Sequence, residues 1–105
     1  MILTTTEQLP GREYDILGIA KGSVVQSKSL GRDIMASLKN MVGGEIRDYT
    51  EMMNEARAIA TKRMVAQAEE MGADAIVMVR YASSQAMDAA SEVIAYGTAV
   101  KIRTY

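Results

Sequence analysis

The sequence predicts an α+β fold of two layers, in which two helices cover one face of a small mixed three-stranded sheet. Two stretches with apolar residues at helical spacing, 30–42 and 46–71, lie between β-branched stretches that are typical of strands. A connection through helices makes the first and second long strands parallel. The third strand then inserts between them, antiparallel to both, which gives the strand order 1-3-2. With 105 residues, the chain is expected to form a single domain over 1–105.

The N-terminal part of the chain carries the first strand signals. Residues 13–27 are predicted to form a long strand, in which Gly18 and Gly22 permit a bulge or the close approach of another backbone. Residues 2–5 form a β-branched run that indicates a short edge strand. A Pro-Gly pair at 10–11 predicts a turn between the two.

The helices and the last two strands follow in order. The predicted helix 30–42 begins after Ser29 as N-cap and ends at Gly43-Gly44, and the helix 46–71 ends at Gly72. Strands are predicted at 73–82 and 92–104, joined by a small polar connection. The apolar face of the second helix consists of Ile46, Tyr49, Met53, Ala56, Ala60, Met64, Gln67, Ala68 and Met71.

The composition excludes several classes of function. The chain has no His and no Cys, which rules out zinc fingers, thiolate redox sites and mechanisms with a histidine base. A net charge of −1 argues against a general nucleic-acid binder. No uncharged stretch exceeds eight residues, so no membrane span is expected, and the N-terminus lacks the features of a signal peptide. We therefore expect a cytoplasmic protein.

Self-association is expected because the predicted strands are apolar on both faces. Segments 16–19, 76–79 and 93–94 carry apolar residues at successive positions, whereas the helices cover only one face of the sheet. The second apolar face must be buried against another surface, and association with other copies of the chain is the simplest way to bury it.

Several motifs resemble the YbjQ family over essentially the whole chain. The most specific is the stretch 41–45, Met-Val-Gly-Gly-Glu, at its particular distance before 72–80, Gly-Ala-Asp-Ala-Ile-Val-Met-Val-Arg. The pair Arg32-Asp33, Tyr49 and the terminal run 97–102 match as well. The resemblance implies a dodecin-like subunit, assembly into a ring-shaped homopentamer and a family label of heavy-metal binding. The family is functionally uncharacterised.

The residues offer little for a heavy metal. Soft metals take thiolate, imidazole or thioether ligands, and this chain has only the thioethers of nine Met residues. Met53, Met64 and Met71 lie on the apolar helix face and are expected to fill the core.

Carboxylates such as Glu45 and Glu51 suit Mg²⁺ or Ca²⁺. Glu51 and Glu55 lie one turn apart on the polar side of the helix, however, so a hydrated charged face is the favoured interpretation. No cofactor is identified, and the question of a metal ion stays open.

Arg57 is the most informative candidate residue. It lies at the border of the apolar helix face, where a guanidinium must be paired or passed to an interface. We expect an ion pair with a carboxylate of the same or a neighbouring subunit, with Glu45 or Glu13 as candidates. The alternatives are contact with a ligand or anion, and extension of the side chain into solvent.

The other candidate residues lie around the two glycines. Gly43 and Gly44 could present backbone N–H groups to an anion, or simply form a tight turn between helices. Arg32 and Asp33 lie at the start of the first predicted helix and also suit an ordinary charged surface. A catalytic acid–base set could only be drawn from Tyr49, Asp33, Glu45 and Arg57, and nothing in the sequence indicates that these groups are activated.

Two non-enzymatic functions are therefore compatible with the sequence, and an enzyme is a third alternative. The first is a non-enzymatic homo-oligomer, expected to be a pentamer, that binds a metal ion or small ligand between subunits. The second is an oligomeric scaffold that recruits another protein through an apolar surface.

Overall fold

One helix and four strands make up the part of the protein that the computed structural model describes, residues 1–27, 44–87 and 90–104. The strands are β1 (Ile2–Leu3), β2 (Tyr14–Ser27), β3 (Ala75–Met87) and β4 (Ala90–Ile102), and the helix α1 is Gly44–Glu70. The α+β class is confirmed.

The four strands form one mixed sheet in the order β1-β3-β4-β2. β4 is antiparallel to both β2 and β3, and β1 is parallel to β3. The prediction of a three-stranded sheet was therefore wrong in its strand count, and the full order differs from 1-3-2. Among the three long strands, β4 does lie between β2 and β3 and antiparallel to both, as predicted. The additional strand is the β-branched N-terminal run, which extends the sheet because its backbone pairs with the outer edge of β3, as Ile2 opposite Ala75 shows.

The described residues contain one helix, whereas two were predicted. The other predicted helix, 30–42, lies outside the described residues, as do its cap Ser29 and Gly43. α1 begins at Gly44 and ends at Glu70, close to the predicted bounds 46 and 71. Gly72 follows with φ of 82°, and Ala73 N–H donates to the Ala68 carbonyl at 3.0 Å. This left-handed glycine with its backward hydrogen bond terminates the helix as predicted.

The main core lies between α1 and the strands β2 and β4. Its largest fully buried side chains include Met64, Ile76 and Val93, and Met53 is buried beside them. The prediction that Met53 and Met64 fill the core is confirmed. A smaller cluster on the opposite face of the sheet is covered by Leu9.

Gly22 brings the backbone of β2 against the backbone of α1. A Cβ atom at this position would overlap the Met64 nitrogen and the Ala60 carbonyl oxygen, and would lie 2.7 Å from the Arg63 carbonyl carbon. The close approach that the sequence permitted is therefore present, and only glycine fits here.

Two of the three register shifts in the described long strands change the direction of neighbouring side chains. The register of β2 against β4 shifts between Ile16 and Gly18, as the sequence permitted. A second shift lies between Val77 and Arg80 of β3, where Met78 has φ of 55°. Since Met disfavours this left-handed conformation, the second bulge carries no sequence signal and was not predicted.

The connection between the last two strands is shorter than predicted. Residues 82–91 were expected to form it, but β3 continues to Met87 and β4 starts at Ala90. Ser83 and Ser84 lie opposite Val93 and Glu92. Small polar residues extend the strand here because their backbone groups pair with β4 whatever their side chains.

Candidate functional site

The sheet face that α1 leaves uncovered is the most unusual surface of the described chain, and we call it the open face. Alternation along the strands places residues of β2, β3 and β4 on it, since their neighbours in sequence pack against α1. The open face includes Ile16, Ile19, Lys21, Ser23, Val25, Arg80, Ala82, Ile94 and Tyr96.

Large apolar side chains are exposed on the open face. Ile16 is 71% exposed, Ile19 73% and Val25 56%. All three belong to β2, which forms an edge of the sheet. These exposed side chains form an apolar strip along the edge of the sheet, of the kind that marks an interaction surface.

A row of three residues crosses the open face. Lys21 of β2 and Arg80 of β3 both lie directly opposite Tyr96 of β4. All three side chains are exposed. No local sequence pattern marks this row, because only the strand register with its bulges brings the three residues together.

Side chains of α1 cover part of the free edge of β2. The Gln67 Oε1 atom accepts a hydrogen bond from the Lys21 backbone N–H at 2.6 Å, and Arg63 Nη1 donates to the Ser23 carbonyl at 2.6 Å. These two bonds satisfy edge groups that would otherwise be open to another strand.

Arg57 does not have the environment that its position predicted. Its side chain is exposed in the single chain, and Nη1 donates to Asn54 Oδ1 at 2.8 Å. The Glu13 carboxylate lies 3.4 Å from Arg103 Nη1, at the far end of the sheet. An ion pair of Arg57 with Glu13 of the same chain is therefore wrong. Pairing with a carboxylate of another copy stays a prediction, and the side chain of Glu45 lies outside the described residues.

The remaining predicted residues do not converge in the described part of the chain. Tyr49 is half-buried against the main core, and Gly44 begins α1. Arg32, Asp33 and Gly43 lie outside the described residues. Tyr49 and Arg57 are eight positions apart on one helix, which separates them by about 12 Å along its axis.

Acidic groups at the end of the sheet stabilise strand pairing. The Asp74 carboxylate accepts a hydrogen bond from the Ile102 backbone N–H at 2.9 Å and lies 3.4 Å from Lys101 Nζ. The bond from Ile102, with help from Lys101, lowers the pKa of Asp74 below its ordinary value of 3.8. The hydrogen bond from Arg103 similarly lowers the pKa of Asp15.

A shallow cavity of about 500 Å³ lies beside the Pro-Gly turn. Its lining contains Arg12 and Arg103 as well as Glu7 and Glu13, so its charges balance. Arg103 is already engaged with Asp15 at 2.6 Å. The cavity is therefore less suited to a charged ligand than the row on the open face.

Comparison with known proteins decides the family. The model of the YbjQ family, described as "Putative heavy-metal-binding", matches residues 1–103. The chain belongs to the YbjQ family. Curated relatives of the same kind are named UPF0145 proteins. The relative from Colwellia psychrerythraea is 57% identical over 104 residues, covering 98% of this chain and 99% of its own. That from Thermotoga maritima is 58% identical over 103 residues, covering 97% of each chain.

A solved structure supports the fold of this YbjQ-family chain. It is the crystal structure of a protein of unknown function from Pediococcus pentosaceus that belongs to the DUF74 family. The TM-score is 0.71 at 17% sequence identity, with 98% of each chain covered. At this identity the likeness shows the fold alone.

The family description can be tested against the side chains of this YbjQ-family chain. Within the described residues, no group of three or more His, Cys, Asp or Glu could hold a metal ion. Among the thioethers, Met53 and Met64 are enclosed by the core, whereas Met78 is exposed on β3. The described donors of one chain therefore do not fit a heavy-metal site. Nor does any helix in the described ranges have the length and apolarity to span a membrane.

Proposed function

We propose that the protein is a non-enzymatic homo-oligomer of single-domain, dodecin-like subunits that binds a small ligand between its copies. The observation that carries this proposal is the open face, where Ile16, Ile19 and Val25 are exposed together. Burying such side chains contributes about 25 cal/mol for each Å² of apolar surface removed from water. We propose that other copies of the chain bury this surface. The resemblance to the family supports a pentamer, and the cytoplasm is its proposed location.

A non-enzymatic role is supported by the separation of Tyr49 and Arg57, the two candidate acid–base residues whose side chains the structure describes. Tyr49 and Arg57 point from different turns of α1, and Arg57 is bonded to Asn54. A metal ion between copies would need donors from several chains, because those described in one chain do not form a cluster. A small organic ligand is therefore the better candidate than a heavy metal.

Native mass spectrometry and light scattering test the assembly. We expect the purified protein to have a mass near five times that of the 11.4 kDa chain. The substitution Ile19→Lys, on the open face, should dissociate the oligomer, because it places a charge in the apolar contact. Lys62→Gln on the exposed side of α1 is the matched control and should leave the assembly intact.

A monomeric wild-type protein at micromolar concentration would overturn this proposal. The apolar surface would then favour the second candidate, a scaffold that uses the open face to bind a different protein. Unchanged assembly in Ile19→Lys would place the contact elsewhere and overturn the role of the open face.

A further inference from the structure

The outer edge of β3 is unprotected beyond the point where the N-terminal segment leaves it. That segment pairs with β3 as far as Val79, whose N–H donates to the Thr4 carbonyl at 2.9 Å. The residues that follow, 81–85, are Tyr-Ala-Ser-Ser-Gln. They include none of the charges, prolines or bulges with which edge strands usually prevent pairing with another chain.

The backbone groups that this edge of β3 presents follow from the strand register. In an antiparallel pair, successive residues direct their N–H and C=O groups alternately towards the partner strand and away from it. Because the Lys21 N–H donates to a side chain of α1, the opposite residue Tyr96 directs its groups away from β2, towards Arg80. The outward residues of β3 are therefore Tyr81, Ser83 and Gln85. Their outward N–H and C=O groups have no hydrogen-bond partner within the described ranges.

A second unpaired stretch lies on the other side of the sheet, at the end of β2. The Ser23 carbonyl accepts from Arg63, but the outward groups of Val25 and Ser27 have no partner among the residues that the structure describes. Residues 23–27, Ser-Val-Val-Gln-Ser, are also uncharged. Val25 lies opposite Glu92 of β4, and Glu92 lies opposite Ser84 of β3. The two unpaired edges are therefore at the same level along the strands.

We propose that residues 81–85 of β3 pair with residues 23–27 of β2 in a neighbouring copy of the chain. Rotation about an axis parallel to the strands keeps each residue at its level, so copies arranged around such an axis bring these edges together. β2 and β3 are both antiparallel to β4, so the ladder between copies is parallel. Two unlike edges meet, and such a contact repeats from copy to copy until a ring closes.

This pairing rests on the proposed function, since it names the contact that joins the copies. A sheet that continues from one copy to the next also places their open faces side by side. The exposed apolar strip of β2, with Ile19 and Val25, then lies next to the open face of the neighbouring β3. The edge supplies direction and register, whereas the apolar strip supplies buried surface.

Introduced cysteines test the contact directly, because the chain has none of its own. Within one chain Val25 and Ser84 are separated by β4, so their Cα atoms are about 10 Å apart. A disulfide does not span more than about 7 Å between Cα atoms, whereas adjacent strands are about 5 Å apart. We expect the double variant Val25→Cys/Ser84→Cys to form covalent multimers after mild oxidation, which non-reducing electrophoresis detects. Ser23→Cys or Ser27→Cys, each combined with Ser84→Cys, covers a register shifted by two residues.

Proline substitutions test the backbone groups themselves. Ser83→Pro removes an N–H that has no partner in the described part of its own chain, so we expect a folded monomer, checked by circular dichroism and native mass spectrometry. Ser83→Ala keeps the N–H and is the matched control, which should assemble as the wild type does. Val25→Pro blocks the other edge in the same way. A mixture of Ser83→Pro and Val25→Pro retains one matching pair of edges and should form a 1:1 complex.

The outcomes separate this pairing from the proposed function. An oligomeric wild type in which none of the three cysteine pairs cross-links would overturn the edge pairing alone, and so would unchanged assembly in Ser83→Pro. Cross-linking by Ser84→Cys without a second cysteine would show that two β3 edges meet, which overturns pairing with β2. Cross-linked multimers that persist in Ile19→Lys would support the edge pairing and overturn the role of the open face. A monomeric wild type would overturn both.

Discussion

Gly22 of β2 lies against the backbone of Met64 in α1, so closely that no side chain fits between strand and helix. The two elements are also joined beside this contact by the bond from Arg63 to the Ser23 carbonyl. The helix can pack this closely against the sheet only because residue 22 has a hydrogen atom where other residues have a side chain.

Gly22→Ala should destabilise the protein strongly. The added methyl group meets backbone rather than a flexible side chain, so α1 must shift away from β2. We expect a loss of about 1–3 kcal/mol in the free energy of unfolding, measured by urea denaturation. Ser23→Ala changes an exposed side chain next to it and should stay within about 0.5 kcal/mol. Equal stability of the two variants would show that the helix can move away at little cost.

Asp74 is expected to make stability depend on acid pH. Its pKa is lowered in the folded protein by the bond from Ile102, so the unfolded chain binds a proton at higher pH than the folded chain. The stabilisation is therefore present above about pH 4 and is lost as the pH falls further. Melting temperatures across this range should decline less steeply for Asp74→Asn than for the wild type.

The melting temperatures of Asp74→Asn and of the wild type must be compared at neutral pH and also below about pH 4. Asp74→Asn should melt at a lower temperature than the wild type at neutral pH, and the difference should narrow in acid. A constant difference at every pH would mean that the charge of Asp74 does not contribute.

Sequence reasoning identified the elements whose signals are local. Gly72 ends α1, and Gly18 marks the bulge of β2, because each position needs a backbone conformation that glycine adopts easily. The strand through Ser83 was mistaken for a loop, since its residues have low strand propensity and pairing with β4 decides its structure. The row of Lys21, Tyr96 and Arg80 depends on the register of three strands, which no local pattern contains.

The environment of Arg57 could not be obtained from a straight helical projection. In the first half of α1 the buried side carries Met53 and Ala56, and in the second half it carries Met64 and Ala68. The contact thus moves around the helix as it crosses a twisted sheet. A projection of the whole helix at one fixed angle per residue averages the two buried directions. It therefore places Arg57 near the apolar side, although the side chain is exposed.

The protein should not bind Zn²⁺, Cd²⁺ or Hg²⁺ tightly. These ions depend on imidazole and thiolate ligands for high affinity, and the sequence has no His and no Cys. Calorimetry with metal-free protein should detect no nanomolar site. One nanomolar Zn²⁺ site per subunit would contradict the prediction and would require carboxylates from several copies.

Arg57→Met should have a small effect on the single chain. The guanidinium is exposed and bonds to the side chain of Asn54, one turn away on the same helix. Bonds of this kind contribute about 0–1 kcal/mol, so the melting temperature should hardly change. Arg63→Met is the matched comparison, because the Arg63 guanidinium reaches across to the Ser23 carbonyl at 2.6 Å. That variant should lose about 1–2 kcal/mol in the free energy of unfolding.

Assembly separates the two remaining roles of Arg57. If a neighbouring copy supplies a carboxylate, Arg57→Met leaves that carboxylate without its partner, and breaking a buried pair costs about 3–5 kcal/mol. Native mass spectrometry would then show smaller assemblies. This is the outcome that the predicted pairing requires, whereas intact assemblies would show that the acceptor within its own helix and the surrounding solvent satisfy the guanidinium. Dissociation in Arg57→Met, with unchanged assembly in Arg63→Met, would show that Arg57 belongs to the contact between copies.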